Sequence, residues 1–197
     1  MKVVIICMVI TFALCLGMVN FARGEGTVVA VDPPSYTVTQ DQIGKNFTLN
    51  INITGVTNLW SWGVRLNWNA SILNVTSLQE GPFLKSVGST LFLPPTRGTG
   101  YLKDLGSTLL SASTANGSGL LCTVTFEALA VGQSSITLNE TSMIRYDQTV
   151  IPNTVNNGQV TVIPEFPDPL VFVIIFAGAS MTVLIKKRPK LTRQRDR

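Results

Sequence analysis

Apolar and polar residues alternate strictly in two segments near the middle of the chain. In FTLNINIT, residues 47–54, every second residue is Phe, Leu or Ile, and the residues between them are Thr or Asn. A two-residue period places alternate side chains on opposite faces of a strand, so that one face is buried and the other meets water. LWSWGVRLNW, residues 59–68, has the same period and places its three tryptophans on the apolar face. We expect both segments to be core strands of an antiparallel sheet.

Seven more segments have the composition of strands: TVVAV (27–31), LNVTSL (73–78), TLFL (90–93), STLLSAS (107–113), LLCTVTFEAL (120–129), ITLNE (136–140) and GQVTVI (158–163). The turn signals DPP, EGP, PPTRGTG, NGSG and NNG separate the strands, and no segment between 27 and 163 shows a helical period. Within 120–129, alternation predicts inward side chains at Leu120, Cys122, Val124, Phe126 and Ala128. These nine short strands predict an all-β domain with the architecture of a β-sandwich.

Both ends of the chain are hydrophobic. Residues 1–24 combine Lys2, an apolar run and a small-residue exit, which is typical of a secretory signal peptide. Residues 170–185 carry no charge, and the basic segment 186–197 follows at once, which predicts a transmembrane helix with a cytoplasmic tail. Residues 25–163 then form an extracellular domain, and the Pro-rich segment 164–169 is a spacer.

The charge and the residue types narrow the classes of function. The formal net charge is +4, but seven of the fifteen Lys and Arg residues follow position 185. The domain therefore lacks the basic patch that nucleic-acid binding needs. The chain has no His, which excludes Ser-His-Asp triads and His-ligated zinc, and the Asp and Glu residues form no catalytic or calcium-loop motif. We expect no enzyme activity, no cofactor and no metal, and we expect Cys122 to be a buried, unpaired thiol.

Six N-glycosylation sequons of the form N-x-[ST] occur, at Asn46, Asn52, Asn69, Asn74, Asn116 and Asn139. Asn52, Asn74 and Asn139 fall on the polar phase of predicted strands, and Asn69 and Asn116 fall at strand ends or turns. All six are therefore predicted to be reachable by a glycosylating enzyme. We expect several of them to be glycosylated.

Three groups of motifs resemble the cohesin domain family. The first is the opening VVAVDPPSYTVTQDQIGKNFTLNINITGVTNLWSWGVRLNWNASILNVTS, with its G-x-x-F-T strand and its G-V-x-N-L lead into the next strand. The second is the EGPFL turn at 80–84, and the third is GSGLLCTVTFEALAVGQSSITL. The resemblance covers most of residues 26–163. It implies a nine-stranded jelly-roll sandwich, similar to that of several carbohydrate-binding modules.

The resemblance also implies a binding role, because many cohesins hold dockerin modules that bind calcium themselves. The implied binding strands correspond here to residues 60–68, 107–113 and 135–140, and their outward candidates are Ser61, Arg65, Asn67, Ser111 and Thr137. Arg65 is the charged candidate anchor among them. A glycan on Asn139 would lie on the same face.

The segment IPEFPDP, residues 163–169, resembles the Pro-Glu-Phe sorting signal of archaeal exported proteins, which implies either sortase cleavage or a retained anchor. Both alternatives leave the domain at the cell surface. The favoured function is a surface-anchored, glycosylated module that recruits a dockerin-bearing protein. The alternatives are binding of a surface polysaccharide, for which the free aromatic residues would be Tyr36, Phe83, Tyr101 and Tyr146, and a passive envelope role.

Overall fold

The computed structural model describes residues 26–165. Twelve strands lie in this range: β1 Thr27–Asp32, β2 Ser35–Thr39, β3 Asn46–Leu59, β4 Ser61–Asn67, β5 Leu73–Glu80, β6 Thr90–Leu93, β7 Thr96–Gly98, β8 Tyr101–Leu109, β9 Ala115–Ala128, β10 Gly132–Ile144, β11 Asn153–Asn156 and β12 Gly158–Ile163. A 3₁₀ turn, Gln40–Gln42, precedes β3, and a one-turn helix, α1, covers Pro82–Lys85.

The strands form two sheets that pack face to face. One sheet has five strands in the order β11-β1-β3-β9-β5, and the other has seven in the order β2-β12-β10-β4-β8-β6, with β7 also paired to β8. The pairs β1–β11 and β2–β12 are parallel, and the other pairs are antiparallel. The expected all-β sandwich is therefore confirmed for the described residues.

Each of the nine predicted segments overlaps a strand of the structure, but the expected number of nine is too low. The missing strands β2, β7 and β11 have only three to five residues each. Segments this short show too few alternations to be separated from loops. In addition, β2 and β11 pair with strands that are distant in the sequence, β12 and β1 respectively. The predicted strand 107–113 is also displaced, because β8 ends at Leu109.

Four aromatic rings connect the two sheets at one side of the core. Tyr36 of β2 stacks on Phe47 of β3 with ring centroids 4.9 Å apart, and Phe47 lies 5.9 Å from Phe126 of β9. Trp68, which follows β4, meets the edge of Phe126 at 5.9 Å. Because β2 and β4 belong to one sheet and β3 and β9 to the other, these contacts cross the sandwich twice. Offset and edge-to-face pairs of this kind stabilise beyond the area that they bury.

The predicted inward phase of β9 is right from Cys122 onward but wrong at Leu120. The register with β3 shifts between Ile51 and Asn52, so that Leu121 is an additional, bulged residue. The bulge turns Leu121 into the core, where it is almost fully buried, and leaves Leu120 half-buried. Cys122 is free and fully buried, and burial raises the pKa of its thiol to about 12. A thiol in this state is a packing group and a poor nucleophile.

One carboxylate is buried at the edge of the core. The Glu80 side chain is 7% exposed; it accepts a hydrogen bond from Ser107 Oγ at 2.5 Å, and its Oε2 lies 2.9 Å from Lys85 Nζ. Burial alone would raise the pKa of Glu80, but the hydrogen bonds from Ser107, Lys85 and Thr90 outweigh it, so the pKa lies below its ordinary value of 4.5. These bonds connect the end of β5 to α1 and β8.

The predicted signal peptide (1–24), membrane span (170–185) and tail (186–197) lie outside the described residues, as does most of the predicted spacer (164–169). Among residues 26–165, no helix has the length and apolar character needed to cross a bilayer.

Trp62 tests the assignment of the inner face. Its side chain is 2% exposed and packs against Phe92 at a centroid distance of 6.4 Å. We expect Trp62→Ala to lower the free energy of unfolding by about 3–5 kcal/mol, because it leaves a large cavity. Urea unfolding measures the change, and Trp60→Ala, at a half-buried position, serves as the milder comparison. A near-neutral effect of Trp62→Ala would contradict the assignment.

Glu80 makes stability depend on pH. Because its folded-state pKa is lowered, its contribution is complete above the unfolded pKa, near 4.5, and is lost as pH falls through the folded value. We expect the stability difference between the wild type and Glu80→Gln to be largest at neutral pH and to shrink below about pH 4.5. Urea titrations at three pH values measure this difference. A gap that stays constant between neutral and acidic pH would refute the role of Glu80.

Candidate functional site

The central strand β4 divides its residues cleanly between core and surface. Trp62, Val64 and Leu66 are almost fully buried, and the residues between them are half-buried and face outward. Three sequence candidates, Ser61, Arg65 and Asn67, therefore share the outer face of the seven-stranded sheet. The fourth, Thr137 of β10, lies directly opposite Asn67. We call the outer surface of β6, β8, β4 and β10 the partner face.

The fifth candidate, Ser111, does not lie on a strand, and its predicted placement is wrong. The ladder between β4 and β8 ends at Ser61 and Thr108, and the chain then bends away. In the bend, the Ser111 carbonyl accepts a hydrogen bond of 2.9 Å from Trp60 Nε1, and its hydroxyl bonds to Ser113. Thr108 occupies the place on the partner face that the sequence assigned to Ser111.

Two β-bulges flank Arg65 at the middle of the partner face. The register of β4 shifts against β8 between Val64 and Leu66, and β10 shifts against β4 between Asn139 and Ser142. The additional residues include Asp104 and Glu140, whose φ angles of 62° and 47° are left-handed. Such conformations cost about 1–2 kcal/mol in a residue other than glycine. Bulges next to binding sites commonly re-aim side chains, and here they bring one acidic residue to each side of Arg65.

The bulges border a shallow depression of about 110 Å³. Its lining consists of Gly63, Val64, Arg65, Asp104, Glu140 and Ser142.

Arg65 is held against the sheet by three contacts. Its Nη1 lies 3.0 Å from Glu140 Oε1, its Nε donates to Asn67 Oδ1 at 3.4 Å, and its guanidinium carbon lies 5.0 Å from the centre of the Tyr101 ring. An ion pair this exposed contributes little to stability. The contacts instead fix the direction of the guanidinium, which lowers the entropy that a ligand would otherwise have to remove.

The other half of the partner face is apolar and was not found from the sequence. Leu91 and Leu93 of β6 are 49% and 43% exposed and lie opposite Thr108 and Gly106 of β8. Exposed leucines at the edge of a sheet suggest an interaction surface. The sequence did predict TLFL as a strand, but it carried no signal that this strand lies beside β8.

Small residues form the floor between β6 and β10. Gly63 of β4 lies opposite Gly106 of β8 on one side and Ser142 of β10 on the other. The two outer strands are three strand spacings apart, roughly 14 Å. An α-helix with its side chains is about 10–12 Å wide. The floor therefore has the width to accept a helix laid along it.

The aromatic residues considered for sugar binding differ in exposure. Phe83 is buried, so the expectation that its ring is free to contact a sugar is wrong. Tyr36 stacks on Phe47, and Tyr101 lies beneath Arg65. Tyr146 is 55% exposed, and its ring meets Trp60 edge-on at 5.8 Å.

No group of three or more His, Cys, Asp or Glu side chains converges within residues 26–165.

Comparisons with known proteins agree on one family. A model of the cohesin domain matches residues 35–162. No curated protein resembles the chain closely enough to count as a match. Similar solved structures include a non-cellulosomal cohesin from the archaeon Archaeoglobus fulgidus, with 16% identity, a TM-score of 0.58, and 70% of this chain and 91% of that one covered.

Two bacterial structures are similar to the same extent. The third cohesin of ScaC from Acetivibrio cellulolyticus, solved with the ScaB dockerin, has 20% identity and a TM-score of 0.55, with 70% of this chain and 99% of that one covered. CaCohA2 from Clostridium acetobutylicum has 17% identity and a TM-score of 0.55, with coverage of 71% and 92%. At these identities the structures establish the fold alone.

Proposed function

Because this chain belongs to the cohesin domain family, we propose that its sandwich is a cell-surface binding module that recruits a dockerin-type protein through the partner face. Structures similar to this chain were solved as cohesin–dockerin complexes, which supports a dockerin-type partner in general terms. Cohesin domains are binding modules, which agrees with the expectation that the chain is not an enzyme.

The observation that carries the proposal is the composition of the partner face. An apolar wall of Leu91 and Leu93, a floor centred on Gly63 and a fixed guanidinium at Arg65 lie side by side on three neighbouring strands. An apolar anchor beside an oriented charge is the usual composition of a specific protein interface. A helix of the partner would place small or apolar side chains on the floor and an acceptor at Arg65.

Calcium in such a complex would belong to the partner. A dockerin brings its own calcium loops, so binding would require calcium although no cluster of metal-ligating side chains lies within residues 26–165. This distinguishes the proposed complex from one held by a metal ion shared between the two proteins.

The location of the module is part of the proposal. The sequence motifs of residues 1–24 and 170–197 support export and anchoring, and the six sequons support glycosylation outside the cell. The domain would then stand on the cell surface with its partner face available to proteins in the medium or envelope.

Carbohydrate binding is the second candidate, and Tyr146 is the observation that favours it. Its exposed ring beside Trp60 offers a surface on which a sugar could stack, at one end of the sandwich. If this candidate is correct, the chain is retained by immobilised polysaccharides and Tyr146→Ala abolishes the retention. Equal elution of the wild type and Tyr146→Ala from every polysaccharide tested would exclude it.

Gly63→Leu tests the partner face directly. An added Cβ would lie 3.9 Å from Ser142 Cβ, which is ordinary contact, so the fold accepts a side chain that fills the floor. We expect this variant to bind calcium-loaded dockerin modules from the source organism at least about tenfold more weakly, a loss of 1.4 kcal/mol or more. Isothermal titration calorimetry measures the affinity, and thermal unfolding checks the fold.

Ser77→Leu is the matched control, because Ser77 is exposed on β5, an edge strand of the opposite sheet. It should bind as the wild type does. Equal affinity for Gly63→Leu and the wild type would show that the partner lies elsewhere, and absence of binding by the wild type would reject the dockerin proposal.

A further inference from the structure

The six sequons are distributed unevenly over the two faces of the sandwich. Asn46 and Asn74 both lie opposite Glu127 on the outer face of the five-stranded sheet. Asn52 lies on that face too, and Asn69 and Asn116 lie at a turn and near the start of β9. Asn139 belongs to the partner face, where it is paired with Arg65, and Asn69 borders one end of that face, where it lines a depression with Asn67 and Thr137. A glycan on Asn139 would cover Arg65.

The hydroxyl residue of the Asn139 sequon is shielded by the fold. Thr141 is half-buried, and its Oγ1 donates a 2.8 Å hydrogen bond to Asn153 Oδ1. The sequon hydroxyls Thr48, Thr54, Ser71, Thr76 and Ser118 are all exposed. Because the acceptor signal requires a hydroxyl two residues after the asparagine, the transferring enzyme must reach that side chain. In the folded chain, it reaches Thr141 only after the bond to Asn153 breaks.

Asn139 and Asn74 also differ in how firmly the hydroxyl of each sequon is held. Asn74 is on β5, an edge strand, and the hydroxyl of its exposed Thr76 makes only longer bonds, the nearest at 3.3 Å to the Thr125 carbonyl. Asn139 is on β10, whose ladder with β12 ends at Ile136, so at Asn139 the strand is paired with Arg65 of β4. Drawing Asn139 and Thr141 into an enzyme site therefore requires a local opening that breaks the 2.8 Å bond from Thr141 to Asn153. The two sequons have similarly exposed asparagines, so they make a matched pair.

We propose that the folded domain withholds Asn139 from N-glycosylation by shielding Thr141, so that Arg65 at the middle of the partner face stays uncovered. In the transfer itself, the Asn side-chain nitrogen forms a bond to C1 of a lipid-pyrophosphate-linked oligosaccharide. The bond from C1 to the phosphate oxygen breaks, the lipid pyrophosphate leaves, and an amide proton passes to a base of the enzyme. The consequence for binding rests on the proposed function, whereas the site selection does not.

In vitro glycosylation tests the selection. The full chain, made without glycans and purified in mild detergent, is offered to a single-subunit oligosaccharyltransferase with its lipid-linked oligosaccharide. Peptides covering residues 136–144 and 71–79 are offered in parallel, and mass spectrometry gives the initial rate at each asparagine. We expect modification of Asn139 to be at least about tenfold slower in the folded chain than in its peptide, because the strand must first open. Asn74 should differ far less.

Two substitutions test the role of Thr141. Asn153→Ala removes the acceptor of the Thr141 hydroxyl and should raise the rate at Asn139, with Asn74 unchanged. Asn153→Asp keeps an acceptor oxygen and should leave Asn139 slow. Thermal unfolding of both variants separates this effect from general loosening, which would raise the rate at Asn74 as well.

Two results would overturn the proposal. One is an equal rate at Asn139 in the folded chain and the peptide. The other is a rate at Asn139 in the peptide that is as low as in the folded chain, because the local sequence rather than the fold would then determine the rate. Dockerin binding by the unglycosylated chain is measured separately, so its failure would reject the proposed function without affecting this result.

Discussion

The two-residue period of β4 is the constraint on which the rest of the molecule depends. Burial of Trp62, Val64 and Leu66 fixes which side of the strand meets the opposite sheet. A slip of one residue would exchange the two sides and expose the largest side chain of the core. The same requirement therefore holds Gly63 and Arg65 on the outer surface. Stability and the proposed binding face are thus two results of one alternation.

The two bulges lie on β8 and β10, beside Arg65, and leave the alternation of β4 unbroken. Asp104 and Glu140 lie in left-handed conformations on the two strands that flank Arg65. Their backbone strain is supported by ladders that continue on both sides of each bulge. Glu140 then provides the carboxylate that orients the guanidinium at 3.0 Å. The strain is consistent with a surface prepared before its ligand arrives, which lowers the entropic cost of binding.

The sequence alone predicted the parts of the fold that repeat within one segment. Strict alternation identified β3 and β4, and it placed Arg65 and Asn67 outward. It could not predict register, which depends on a partner strand. The sequence placed Leu120 in the core, where the structure has Leu121, because the register between β3 and β9 shifts. It placed Ser111 on the outer face, where the structure has Thr108, because the ladder between β4 and β8 ends there.

The missed features of the face have the same origin. Leu91 and Leu93 border the floor only because β6 pairs with β8, which contributes part of that floor. Thr141 is shielded by Asn153, twelve residues away in the sequence. Contacts of this kind are set by which strands become neighbours, and periodicity within one strand does not carry that information.

The central claim is that the partner is a protein that carries its own calcium, and affinity capture tests it most directly. The full chain is immobilised, exposed to an extract of the source organism with calcium, and eluted with EDTA. We expect the eluate to contain proteins with paired D-x-[DN]-x-[DN]-G calcium loops, which are released because their fold loosens without the ion. An eluate without such proteins, from an extract shown to contain them, would contradict the claim.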